Sequence, residues 1–167
     1  MIVDHMFTHQ FNMQMHEIDA AVSFYHANWR HPDLYVPTLS PLYSLFPSET
    51  HAVSGLLRWP SSWPNADSPG VYLIFAADGQ LLYVGKSRSL GTRLDNYFRY
   101  SNGRGSDCHI VDSGWHFKPC FVATIPLLES FEAAGLEEFL IDRLDPWENK
   151  HGSRRDPARF LPQTNQD

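Results

Sequence analysis

Cysteine, basic charge and long apolar runs are all scarce in this chain. Only Cys108 and Cys120 occur among 167 residues, too few for a disulfide framework. Reduced thiols in a cytoplasmic setting are therefore expected. No window approaches the roughly 18 consecutive apolar residues of a membrane helix, so no membrane partner is expected. The first residues carry Asp4, His5 and His9 rather than a Lys/Arg-led apolar run, so no secretory leader is visible. Lys and Arg number 13 against 19 Asp and Glu, a net charge of −6, which argues against a nonspecific nucleic-acid coat. What is present is a core: 43% of residues are hydrophobic and 14% aromatic, which excludes a disordered chain and suits one domain with a smaller appendage.

The few cations are unevenly placed. Residues 1–67 hold Arg30 and Arg58 against Asp4, Glu17, Asp19, Asp33, Glu49 and Asp67, a net −4. Residues 86–104 hold Lys86, Arg88, Arg93, Arg99 and Arg104 against Asp95, a net +4. That stretch is either a solvated basic helix face or an electrostatic footprint for phosphate.

Three regions follow from pattern. Residues 1–67 form an extension: a helix over about 15–29, with Ile18, Val22, Tyr25 and Trp29 at helical spacing, then a proline-punctuated, irregular segment. That segment carries Tyr35, Tyr43, Leu45, Phe46, Trp59 and Trp63, too many large apolar side chains to float free. It should pack on the rest of the chain or form an interface, homodimerisation included. Residues 68–155 are the most regular unit, and 156–167 read as a flexible tail. Within the unit, Val71–Ala76 and Leu81–Val84 flank Asp78-Gly79, a hairpin signal for a two-residue turn. Ser89 would cap a helix running to about Phe98. Residues 102–114 read as a loop, Phe117–Ile125 as a third strand, and Ser130–Leu144 as a helix ended by Pro146. The sum is an α/β sandwich, with a small three-stranded antiparallel or mixed sheet flanked by helices.

Spacing singles out particular side chains. A two-residue turn pairs Ala77 with Gln80, Ile74 with Tyr83 and Tyr72 with Gly85, placing Tyr72 and Tyr83 diagonally on one face. Gly85 opposite Tyr72 would leave open space beside a phenol, as a pocket needs; two ordinary strand tyrosines are the plainer reading. On the last helix, at about 100° per residue, Glu137 falls within the apolar arc of Leu136, Leu140 and Ile141, while Glu138 falls outside it. A buried carboxylate needs a cation, so Glu137 either pairs with a side chain such as Arg93 or holds a metal. Cys108, His109, His116 and Cys120 make a weak zinc set, without a paired Cys-x-x-Cys. Trp115 and Phe117 are core residues or base-stacking ones. His5, His9 and His16 read as exposed polar residues.

Gly70-Val71-Tyr72, followed by Tyr83-Val84-Gly85-Lys86, resembles the paired motif that names the GIY-YIG nucleases. Arg93 within Leu90–Phe98 is similar to the family's first helix with its Arg. Glu137-Glu138-Phe139-Leu140-Ile141 with Pro146 and Asn149 resembles its closing helix, and the family's spacing selects Glu137 as metal ligand. The resemblance covers about 80 residues, with Val replacing Ile in both triplets, and residues 1–67 match nothing in the family. No helix-hairpin-helix or long second domain follows, so the chain is not expected to be a whole repair incision subunit. The resemblance implies hydrolysis of DNA phosphodiesters with one divalent ion, Mg²⁺ or Mn²⁺, held by Glu137. Lys86 and Arg93 would neutralise the phosphate, and Tyr72 or Tyr83 would position or deprotonate water, with the nearby cations lowering the phenol pKa. Arg88, Arg99, Arg104, His109 and Asn149 would complete the substrate contacts, Asn149 serving either to brace the site or to cap a helix. The alternative is a nucleic-acid-binding module of the same fold without turnover; retention of all five reactive residues speaks against it.

Overall fold

The computed structural model describes residues 2–49, 57–100, 108–111 and 114–149, and within its first helix the side chains of His9 and of residue 11 onward. That helix, α1 (Ile2–Trp29), is longer than its sequence periodicity predicts. Phe11, Met15, Ile18, Val22 and Tyr25 are buried or packed against the core. They recur at alternating steps of four and three, the spacing of one helical face. The His- and Gln-rich residues before position 15 hide the early turns of that pattern.

The proline-punctuated segment is not wholly irregular. It contributes two short strands, β1 (Tyr43–Ser44) and β2 (Leu57–Arg58), to the main sheet. The remaining elements are β3 (Gly70–Phe75), β4 (Leu81–Ser87), α2 (Leu90–Tyr97), β5 (Phe98–Tyr100), β6 (Cys108–Ile110), β7 (Phe121–Pro126) and α3 (Glu132–Leu144). The fold is α/β as expected, but the sheet has five strands rather than three, in the order β2-β1-β7-β3-β4. Only β1 and β2 run parallel. A separate ribbon pairs β5 with β6, so residues 108–110 are a strand and not loop. The third strand begins at Phe121 rather than Phe117, because Pro119 lacks the N–H a ladder needs.

Alternation along the strands sorts the core into two layers. Val71, Leu73, Phe75 and Phe121 face α1 and α3: the Phe11 ring stands edge-on to Phe121 at 5.0 Å and 5.9 Å from Phe75. Arg30, at the end of α1, donates from Nε to Glu132 at 2.9 Å and from its Nη1 to the Tyr35 carbonyl at 2.8 Å, tying α1 to the first turn of α3. The other face carries Tyr43, Val122, Ile74, Tyr72, Tyr83 and Gly85 by register. It is covered by α2, the β5–β6 ribbon and Trp63, whose ring lies 4.5 Å from Tyr43 and 5.9 Å from Phe98. Phe11, Ile18 and Val22 of α1 with Tyr43 and Trp63 of the segment after it thus supply both layers of the core.

The turn between β3 and β4 differs from the expected two-residue form. Ala76 donates to the Gln80 carbonyl at 2.9 Å and accepts from Gly79 at 3.1 Å, closing a three-residue loop. Gly79 takes a φ of 88°, whereas Asp78 does not adopt positive φ; Asp78 instead accepts from the Gln80 N–H at 3.0 Å. The ladder then shifts by one residue, since Ile74 pairs with Tyr83 but Phe75 with Leu81. The extra residue, Leu82, is a bulge. It restores the register Tyr72–Gly85 and Ile74–Tyr83 predicted for the site.

Candidate active site

The phenols meet over the glycine. Tyr72 and Tyr83 lie with ring centroids 6.0 Å apart, and Tyr97 of α2 is 6.0 Å from Tyr72. A Cβ at Gly85 would fall 2.7 Å from Cε1 of Tyr83 and on top of the Tyr72 hydroxyl. The space opposite Tyr72 is therefore not an open pocket: the Tyr72 ring itself fills it. Only glycine lets the phenol lie across the strand.

Arg93 and Tyr97 stand one helical turn apart on α2, so both reach the same place. Arg93 donates from Nε to the Tyr72 hydroxyl at 3.2 Å, and its guanidinium lies 5.1 Å from the Tyr97 ring centroid. The Tyr97 hydroxyl is 3.2 Å from that of Tyr72. Trp115 closes the cluster, edge-on to Tyr83 at 5.8 Å and to Tyr97 at 6.0 Å. Its Nε1 is buried without a hydrogen-bond partner among the described residues. Phe117 is exposed and stacks edge-on to Trp147 at 5.5 Å.

Glu137 approaches from α3 on the other side of the sheet edge. Its side chain is 17% exposed and forms an ion pair with Lys86, while Glu138 is exposed. The partner is thus Lys86 and not Arg93. Strand alternation explains this: Lys86 lies on the α3 face of β4, whereas Arg93 covers the opposite face. Edge strand β4 divides the cluster into a phenol–arginine half and a lysine–carboxylate half.

The segment after α3 holds that edge. The Asn149 amide accepts from the Val84 N–H at 2.9 Å and donates to the Val84 carbonyl at 2.8 Å, and the Glu148 N–H donates to Leu82 O at 2.7 Å. Asn149 is buried and caps no helix; its side chain stands in for a sixth strand beside Tyr83. Glu148, also buried, accepts from the N–H groups of His116 and Phe117.

The protein's own cations do not lower the phenol pKa values. Burial raises Tyr72 above its ordinary value of 10, the hydrogen bond with Tyr97 adds to this, and Arg93 only partly offsets it. Burial likewise raises Tyr83, followed by the neighbouring Tyr97 and the Glu137 charge. Both are neutral phenols near pH 7.

The other sequence-selected residues are more dispersed. Arg88, Arg99 and His109 are exposed, Arg99 paired across the ribbon with His109. Arg104, the His5 side chain and residues 150–167, including the expected tail, lie outside the described residues. His9 and His16 are exposed on α1. Among the described residues no three His, Cys, Asp or Glu side chains are grouped to hold a metal, so the zinc set does not assemble. Both cysteines are buried and neither forms a disulfide among the described residues, and burial pushes the Cys120 thiol up to about 11. Among the described residues no helix is long and apolar enough to cross a membrane. Tyr97 and Glu148 were missed as site residues. Tyr97 had a signal, its four-residue step from Arg93; Glu148 had none.

The family model described as UvrC-like GIY-YIG domain matches residues 68–149. Over 79 residues the chain is 44% identical to the UvrABC system protein C of Maricaulis maris, which is 47% of this chain and 12% of that protein. It is 54% identical over 43 residues to the protein of that name from Trichlorobacter lovleyi, covering 26% and 7% of the two chains. It is 58% identical over 36 residues to that of Pseudomonas paraeruginosa, covering 22% and 6%. The chain thus spans about an eighth or less of these relatives' length. Through residues 68–149 the chain belongs to the GIY-YIG superfamily.

Proposed function

We propose that this GIY-YIG chain is an endonuclease that hydrolyses DNA phosphodiesters with the help of one divalent ion. The observation that carries the reading is the convergence on one sheet edge of Tyr72, Tyr83 and Arg93 on one side and Glu137 with Lys86 on the other. These are the groups the reaction requires: a hard oxygen ligand, two cations for phosphate charge, and phenols to hold a water. The donor set fits Mg²⁺ or Mn²⁺. One partly exposed carboxylate cannot build an all-protein cage, but it suits an ion that keeps most of its waters and shares the substrate's phosphate. Bound there, such an ion would supply positive charge beside the phosphate and acidify water.

The protein's own groups divide the remaining work. Tyr83, half-buried rather than fully enclosed, is the phenol that can meet a water, and its oxygen accepts the water's hydrogen bond. Tyr72 is fully buried and serves to hold Arg93 and Tyr97 in place. Arg93 and Lys86 neutralise the non-bridging oxygens. Lys86 must then exchange the Glu137 carboxylate for a phosphate oxygen. Exposed Arg88, Arg99 and His109, with Arg104, contribute affinity along the duplex.

The test is incubation of the full chain with supercoiled plasmid, with and without Mg²⁺ or Mn²⁺. Nicking that depends on the ion and is lost in Glu137→Gln is the expected result. DNA binding with no cleavage under either ion would establish the inactive binding module instead.

A further inference from the structure

We propose that His116 is a DNA-phosphate contact at the rim of this site, oriented by the buried carboxylate of Glu148; this rests on the DNA-cleaving reading above. The Glu148 side chain is 5% exposed, and the side chain that meets it is His116, with Nδ1 at 3.0 Å. A burial so complete has an electrostatic cost that facing hydrogen-bond donors offset. The carboxylate also accepts from the backbone N–H groups of His116 at 2.8 Å and Phe117 at 3.1 Å. Those two bonds suffice to clamp the loop. The third reaches the ring and fixes its orientation.

A carboxylate only accepts, so the hydrogen lies on Nδ1 and Nε2 becomes the outward end. The His116 side chain is 64% exposed. Its neighbour Trp115 abuts both Tyr83 and Tyr97, which brings this segment to the edge of the phenol cluster. The anchor is shared with the site as well: the Glu148–Asn149 segment that holds the imidazole also holds Leu82 and Val84, on either side of Tyr83. A protonated imidazole here presents one N–H to an anion lying across the phenols. The chemistry that fits is a phosphodiester oxygen beside the scissile one.

The surrounding charges leave that role open to it. Glu148 from the turn after α3 faces the ring, Tyr83 of β4 and Tyr97 of α2 meet the adjacent Trp115, and Lys118 follows two residues along the same segment. Lys118 is engaged by Glu49 at 2.9 and 3.0 Å and lies 3.7 Å from the Phe46 ring centroid.

The experiment measures binding of a fluorescein-labelled duplex by anisotropy, on the full chain in EDTA so that no turnover occurs. Salt titrations are run at about pH 6 and pH 8, because a phosphate contact by an imidazole depends on its charge. At the lower pH the wild-type salt slope should exceed that of His116→Gln by about 0.9, one phosphate contact, or three- to fourfold in affinity between about 50 and 200 mM salt. At the higher pH the excess should shrink. His116→Arg should hold the steeper slope at both. Glu148→Gln, with folding checked by its melting curve, should lose part of the low-pH advantage. Equal slopes for wild type and His116→Gln at the lower pH would overturn the proposal while leaving the nuclease reading intact. Absence of DNA binding by the wild type at either pH would overturn the nuclease reading first.

Discussion

Replacing Asn149 with alanine separates two roles for this residue, one touching substrate and one bracing the sheet. Its amide makes two hydrogen bonds to the backbone of Val84, and the residue is 6% exposed. Asn149→Ala leaves a donor and an acceptor on the edge strand without partners. Each such loss costs about 1–2 kcal/mol where water is partly able to replace the missing group. The total is about 2–4 kcal/mol, a drop in Tm of roughly 5–15 °C for a domain of this size. Val84 sits between Tyr83 and Gly85, so cleavage should fall as the strand loosens. Affinity for DNA at a temperature where the variant is folded should change little. Urea titration, differential scanning fluorimetry and an anisotropy titration on one preparation check all three. A variant as stable as the wild type but with DNA affinity down tenfold would make Asn149 a substrate ligand and refute the brace.

Other consequences can be checked more quickly. Glu138→Gln should leave plasmid nicking within about twofold of wild type, whereas Glu137→Gln should abolish it with DNA binding kept; equal loss in both would contradict the facing of α3. Arg93→Ala should lower turnover by roughly 10²-fold or more, since it removes a preorganised charge together with a hydrogen bond to Tyr72, while Arg88→Ala should act on affinity and its salt dependence. Reversal of that pair in single-turnover assays would place the wrong cation at the phosphate. The fold should also weaken in alkali. Burial pushes Tyr43 up to about 12 and raises Tyr72 and Tyr83 from the ordinary 10. Each folded value lies above the unfolded one, so this stabilisation is complete below about pH 10 and is lost as pH rises through the folded values. Melting temperatures level to about pH 10 and falling beyond it are expected; no fall by about pH 11 would count against the burial of these phenols.

Much of the site was readable before the structure, in one case through two errors that cancel. A two-residue turn at Asp78-Gly79 puts Tyr72 opposite Gly85. The real loop holds three residues, and the bulge at Leu82 adds the one that brings the pairing back. Glu137 was separable from Glu138 because helical geometry alone fixes which of two adjacent carboxylates meets the core. Its partner was not, because Lys86 and Arg93 differ by sheet face and that depends on how α2 and α3 straddle β4. Strands β1 and β2 have two residues each, too few to show alternation. Their positions follow from long-range pairing, as when Tyr43 takes its place opposite Val122. The Glu148–His116 contact joins positions 32 residues apart, and no local pattern announces it.

The bulge at Leu82 also divides the hairpin between two clients. Beyond it the tip serves the extension: Gly79 lies under the ring of Phe11 so closely that a Cβ there would sit 2.9 Å from the ring edge. Before it the base serves the phenols. Because the ladder is reset between them, the tip can be lengthened, shortened or reshaped to receive a different covering element without rotating Tyr83 away from Tyr72. The hairpin therefore works as a coupling in the mechanical sense, a joint that accepts varied attachments at one end and keeps its alignment at the other. An extension of unrelated sequence and length could be fitted to the same GIY-YIG unit at this point.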